Sequence, residues 1–217
     1  MILMNNSKSV DVFIEYGENA TIPKYETPLA SGADLFAARD MVIRPFEKVA
    51  IPLNIKFAIP DNMEIQIRAR SGLSLKTNLK ISNSVGTIDA DSVSEISVIL
   101  ENNYNIANLP YEIANDIEKL RDLKENYKEV RLIDYVESQG YDINEYKECE
   151  KAYKKLLKNY IYLDKNGNPY GSIYIQKGNR IAQMVLAKYY RANFIHVYDV
   201  EEIKGVNRGG GFGHTGF

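Results

Sequence analysis

Three consecutive residues in "RARSGLSLK" suit the holding of an anion. Arg70 supplies a fixed charge, Ser71 a hydroxyl, and Gly72 a backbone that a ligand can approach closely. Taken alone, the triplet also describes a surface turn with a stray arginine. In "SNSVGTIDAD", Asn83 precedes a hairpin turn and Asp89 follows Ile88. An asparagine amide carries a donor and an acceptor, enough to read one edge of a base, and an aspartate can hold and deprotonate a water. For either residue alone, an ordinary turn role is the simpler explanation. The small-residue turn "SGADLFAA" delivers Asp34, and "KGNRIAQMV" sets Arg180 and Gln183 among apolar neighbours, where a buried amide needs a partner or a ligand. The last ten residues, "RGGGFGHTGF", place five glycines around Arg208, Phe212, His214 and Thr215. An aromatic face, a positive charge and donors on a flexible backbone are the parts of a lid for something flat and anionic.

These residues must be carried by a scaffold, and most of the chain reads as strands. From residue 9 to about 103, "VDVFIEY", "EIQIRARSG", "LKISNSVGTIDA" and "EISVILEN" are short Val/Ile-rich runs broken by Pro, Gly, Asn and Asp, with no helical period among them. Such a pattern predicts an antiparallel sandwich, jelly roll or barrel. From about 105 to 160 the period changes. Ile113, Ile117, Leu120 and Leu123 recur at helical spacing in "YEIANDIEKLRDLKENY", and Ile143, Tyr146, Cys149, Tyr153, Leu156, Leu157 and Tyr160 do so in "INEYKECEKAYKKLLKNY". "VRLIDYVES" reads as a shorter helix between them, and "SQGYD" as a helix stop. "YIYLDKNGNPYGSIYIQ" returns to a strand pattern, and "NRIAQMVLAKYY" through "FIHVYDVEEI" reads as buried strands. The helical stretch is therefore expected as an insertion into a β domain.

The totals exclude several classes. The net charge of −2 provides no basic field for stable nucleic-acid binding. A single cysteine, Cys149, forms no intramolecular disulfide, which suits a reducing compartment. No secretory leader or membrane-spanning run is seen, so a soluble cytoplasmic protein is expected.

Read together and in order, "SGADLFAA", "RSGLSLK", "NSVGTIDAD…EI", "GNRIAQMV" and "RGGGFGHTGF" resemble the five motifs of the homotrimeric dUTP pyrophosphatase (dUTPase) family. The resemblance covers about residues 9–103 and 174–217. It implies a mainly β fold, a distorted jelly-roll β-barrel with an inserted α-helical subdomain. The implied division is a β domain over 1–104 and 173–206, a mainly helical insert over 105–172, and a mobile glycine-rich arm over 207–217.

The resemblance also implies a reaction and its residues: hydrolysis of dUTP to dUMP and pyrophosphate, with Asp89 activating the water that attacks the α-phosphorus. Arg70, Ser71, Gly72 and Gln183 would contact phosphates. Asn83 with the 83–89 hairpin around Gly86 and Ile88 would select uracil. In the arm, Phe212 would stack on the base, Arg208 would pair with the γ-phosphate, His214 and Thr215 would add phosphate contacts, and Gly213 would also bind substrate. Asp34 would support Mg²⁺ indirectly, through water. A homotrimer with shared active sites is implied, and an insert of this kind resembles phage enzymes that bind regulatory proteins, which would give a host-cytoplasmic location. The chain departs from the family pattern at Ser92, where a tyrosine under the sugar is usual, at Ser94, and at Asn179, where an aspartate is usual. An alternative reading is a nucleotide-sensing binding protein whose 105–172 insert contacts a protein partner. A dCTP deaminase, with Glu95 as its glutamate, is less favoured.

Overall fold

The computed structural model describes residues 9–142 and 155–206. Arg208, Phe212, Gly213, His214 and Thr215 therefore lie outside the described residues, as do Cys149 and the apolar stripe from Ile143 to Tyr153.

The fold is mainly β, and its paired strands are antiparallel. β1 (Phe13–Tyr16) pairs with β5 (Ile55–Ala58), and β3 (Met41–Ile43) with β12 (Ile173–Ile175). A four-stranded sheet runs β2 (Ala33–Phe36), β13 (Arg180–Lys188), β6 (Met63–Arg68), β8 (Gly86–Ile88). A three-stranded sheet runs β4 (Lys48–Pro52), β9 (Ser97–Asn102), β7 (Leu79–Ile81). Strict alternation in "MEIQIR" and "SVILEN" explains the packing: Ile65 and Ile67 of β6 and Val98 and Leu100 of β9 turn inward, joining Leu35, Ile43, Ile51, Ile55 and Ile181 in one core.

Three readings need correction. "RSGLSLK" contains a helix, α1 (Ser71–Lys76), too short to leave a period in the sequence. The stretch 79–88 is not a hairpin, because β7 pairs with β9 while β8 pairs with β6. The turn between them, with Ser84 at φ 63°, crosses from one sheet to the other. "FIHVYDVEEI" is not a buried strand: β13 ends at Lys188, Phe194 and Ile195 are 93% and 76% exposed, and Val200–Lys204 is a short helix. An apolar run gains nothing from strand geometry when no neighbouring strand of the same chain covers it.

Residues 105–164 carry α2 (Leu109–Asn115), α3 (Glu118–Asn126), α4 (Leu132–Ser138) and a strand pair, β10 (Tyr127–Arg131) with β11 (Tyr160–Asp164). Helices were expected over most of this stretch, and "YKEVR" as a strand was not. Asp116 divides the first helical run in two, its carboxylate accepting from the Glu118 N–H at 3.1 Å. Gly140, at φ 88°, follows the end of α4, as "SQGYD" suggested. This region has its own small core of Tyr104, Leu109, Leu123 and Tyr170, with Ile113, Tyr127 and Tyr162 against it. Tyr170 meets Tyr104 and Tyr127 edge to face, at 5.7 and 4.9 Å.

Asn102 joins this region to the barrel. It is fully buried, and its amide nitrogen donates to the Ile43 carbonyl at 2.9 Å and the Gly171 carbonyl at 2.8 Å. Its side-chain oxygen accepts from the Tyr104 N–H at 3.0 Å. Gly171 has φ 87°, and a β-carbon there would run into the Tyr104 ring, so only glycine serves. Among the described residues no helix is long and apolar enough to cross a membrane.

Candidate active site

β13 is flanked by β2 and β6, and its register decides which side chains meet. Gln183 lies opposite Asp34 on one side and opposite Arg68 on the other. The segments "SGADLF", "RARSG" and "NRIAQ" are thereby drawn to one end of the four-stranded sheet. A register shift between Arg180 and Ala182 keeps Ile181 and Ala182 buried in succession while Arg180 stays exposed.

Asp34 organises this end. It is only 7% exposed, and one carboxylate oxygen accepts from Arg70 Nε at 2.8 Å while the other accepts from Arg180 at 3.3 Å. Arg70 also donates to the Arg180 carbonyl at 3.1 Å, and Arg180 lies 3.7 Å from Glu26. Two guanidinium groups are thus aimed by one buried carboxylate. Gln183 donates to the Ala69 carbonyl at 3.0 Å. Ser71 and Gly72 open α1, whose first turn has no side-chain cap and no acidic residue, leaving amide donors toward solvent. No atom comes within 4 Å of where a β-carbon on Gly72 would stand. Charge, amides and open space suit a polyphosphate.

Asp89 belongs to a different place. It follows β8, whose pairing with β6 runs from Gly86 opposite Ile67 to Ile88 opposite Ile65. Three residue steps along β6 lead from Ile65 to Arg68, roughly 10 Å of strand. Within one chain, then, Asp89 is not beside Arg70, Arg180 and Gln183. Asn83 and Gly86 lie between these ends. A β-carbon on Gly86 would press on the Asn83 amide at 3.2 Å and on Ile67 at 3.3 Å.

Nothing in the spacing of "SGADLFAA" and "KGNRIAQMV" marks Gly32 or pairs Arg180 with Asp34. Asp34 was expected to support a metal, yet here both its oxygens are engaged by arginines. Among the described residues no group of three His, Cys, Asp or Glu side chains could hold a metal ion.

The dUTPase family model matches residues 18–109, the stretch that holds Asp34, Arg70, Ser71, Asn83 and Asp89. Over that stretch the chain is similar to the dUTPase family. It is 41% identical over 102 residues to a deoxyuridine 5′-triphosphate nucleotidohydrolase of Wolbachia pipientis wMel, over 46% of this chain and 65% of that relative. The stretch matched thus spans under two thirds of that relative's length. A protein of the same name from Finegoldia magna is 29% identical over 201 residues, 92% of this chain and 94% of that relative. Among solved structures, a Staphylococcus bacteriophage 80alpha dUTPase with dUpNHpp aligns at TM-score 0.65 and 21% identity, over 96% of this chain and all of the other. The dUTPase of phage phi11 of S. aureus, described as showing a species-specific insert, aligns at TM-score 0.59 and 22% identity, covering 88% of this chain and 98% of that one. At these identities the likeness is one of fold.

Two residues at which the chain departs from the dUTPase pattern, Asn179 and Ser92, have defined places in the fold. Asn179 is a turn residue, its side-chain oxygen accepting from the Gln176 N–H at 2.9 Å. Ser92 closes the turn after Asp89 with its N–H, which donates to the Asp89 carbonyl at 3.1 Å.

Proposed function

We propose that the protein hydrolyses dUTP to dUMP and pyrophosphate. The observation that carries this reading is Arg70 and Arg180 held on buried Asp34 beside the uncapped start of α1, in a chain whose residues 18–109 match the dUTPase family model. Asp89 takes a proton from a water as its oxygen bonds to the α-phosphorus. The bond from that phosphorus to the bridging oxygen breaks, and the electron pair leaves with pyrophosphate. Arg70 and Arg180 stabilise the charge gathering on the phosphates, with Ser71, the α1 amides and Gln183 fixing their position. Asn83 and the backbone near Gly86 and Ile88 read uracil. Asp34, whose oxygens serve Arg70 and Arg180, would support a substrate-borne Mg²⁺ only through water, and such an ion would supply neutralisation of phosphate charge. Arg208, Phe212, Gly213, His214 and Thr215 form a closing arm in this reading.

The complete site is shared between copies of the chain, as in a homotrimer. The distance along β6 between Asp89 and the arginine pair supports this, and so does the exposed apolar run of Phe194, Ile195 and Tyr198. Residues 105–172 act as a separate module. An apolar groove of about 760 Å³ bounded by Leu109, Ile113, Leu120 and Tyr127 supports a protein partner there.

The test is pyrophosphate release with Mg²⁺ from dUTP, UTP, dCTP and dTTP. Turnover of dUTP, lost in Asp89→Asn, is expected, and no turnover of any nucleotide would sink the reading. Mixing Asp89→Asn with Arg70→Ala tests the shared site. Both are inactive alone, and unfolding and refolding them together should restore part of the activity.

A further inference from the structure

Arg191 faces the same cleft as Asp89. The cleft, of about 430 Å³, is bounded by Asp61, Asp89, Ala90, Asp91, Tyr189 and Arg191. Among these residues Arg191 is the one cation, set against three carboxylates. Among the described residues its guanidinium has no hydrogen bond and no ion pair. Arg70 and Arg180, by contrast, are both held on Asp34.

The chain after β13 aims Arg191 into the cleft. β13 ends at Lys188, and Tyr189 is then tied at two points: its N–H reaches the Asn62 carbonyl at 3.4 Å, and its phenol donates to the Asp61 carbonyl at 2.7 Å. Tyr190 is 97% exposed, so successive side chains alternate, with 189 and 191 toward the cleft and 190 away from it. Charge makes that placement matter. A phosphate beside Asp89 meets three carboxylates, and the arginine pair belongs to an end of the sheet roughly 10 Å away along β6. Arg191 alone among the bounding residues offsets the repulsion. An unpaired guanidinium, with its donors in a fixed fork, is the group that fits a phosphate there.

We propose that Arg191 binds the α-phosphate of the nucleotide, holding it beside Asp89 while the Arg70–Arg180 end takes the rest of the polyphosphate. The proposal rests on the reading that Asp89 activates the water that attacks the α-phosphorus. In that reaction the α-phosphate and Asp89 stand one water apart, so the phosphate enters the cleft that Arg191 bounds. Charge gathers on the α-phosphate oxygens as the new bond forms, and a guanidinium already in place stabilises it.

The experiment compares Arg191→Ala, Arg191→Gln and Arg191→Lys with the unaltered protein. Calorimetry measures the binding of dUMP and of deoxyuridine, and kcat/KM is measured for dUTP. The unaltered protein is expected to bind dUMP more tightly than deoxyuridine. Ala and Gln should weaken dUMP by roughly 10- to 100-fold and leave deoxyuridine unchanged, with kcat/KM for dUTP falling by a similar factor. Lys, which keeps the charge, should recover part of both losses. Gln keeps most of the side chain's length and serves if Ala does not fold. Unchanged dUMP binding in a folded Ala or Gln variant overturns the proposal. So does equal weakening of dUMP and deoxyuridine, which would mark a structural effect, and so does an unaltered protein that binds the two alike. Binding of dUMP that needs Arg191, in a protein that turns over no dUTP, would leave the phosphate contact standing and remove the hydrolytic reading.

Discussion

The side-chain oxygen of Gln183 lies 2.7 Å from the point where a β-carbon on Gly32 would stand. A β-carbon in "SGAD" would therefore have to displace the end of the Gln183 side chain on β13. Gly32→Ala should push Gln183 away from the Ala69 carbonyl and shift the phosphate-binding end. An ångström of misplacement is worth roughly 100-fold in rate, so kcat/KM for dUTP should fall by about that factor with little change in Tm. Wild-type turnover in a folded Gly32→Ala protein would show that Gln183 does not touch substrate.

Asp34→Asn removes the carboxylate that aims two arginines. Arg70 is three-quarters buried in this pairing and Arg180 half exposed, so solvent offsets part of the loss. A drop in unfolding free energy of about 1–3 kcal/mol is expected, read from urea denaturation. KM for dUTP should rise as Arg70 and Arg180 spread. A variant that loses stability but keeps KM would assign Asp34 a purely structural role.

Asn102→Ala leaves the Ile43 and Gly171 carbonyls and the Tyr104 N–H without their buried partner. The cost should be about 2–4 kcal/mol. Asn102→Asp should fare nearly as badly, because an ionised carboxylate donates no hydrogen bond to either carbonyl. Hydrogen exchange at the Tyr104 amide should accelerate in both. Protection equal to the unaltered protein would contradict the role given to Asn102.

Acid should weaken the turn that follows β11. Burial pulls the Asp164 carboxyl upward, but the Tyr174 hydroxyl, the Asn168 and Asn166 N–H groups and Lys165 together outweigh it and hold it below its ordinary 3.8. A carboxyl depressed in the folded state contributes stability that is present above its unfolded value and is lost as pH falls through the folded one. Tm measured from pH 7 downward should therefore show a loss below about pH 4. Asp164→Asn should lack that component, and identical profiles would dismiss it.

What could be read in the sequence followed the length of each pattern. The alternation of β6 and β9 was plain because each spans several residues with one face in the core. α1 was hidden, since six residues hold less than two turns. β10 was masked by the charged helices on either side, although Tyr127 and Val130 are its less exposed positions. The site was legible as an ordered set of motifs, but the meeting of Asp34, Arg70 and Gln183 depends on strands distant in sequence lying side by side. The separation of Asp89 from that group has the same origin. "FIHVYDVEEI" misled because an apolar run shows a need for cover without saying which molecule supplies it.

Asn102 touches both the first and the last residue of the stretch from Tyr104 to Gly171. Both ends leave the barrel at one point, so a tight turn there would suffice to close the chain, and the entropy of closure rises only slowly with what is placed between. For a gene, such a junction is a socket. Whatever is spliced between those two positions can be traded whole between lineages, lengthened or lost, while the barrel behind it keeps its own pace of change.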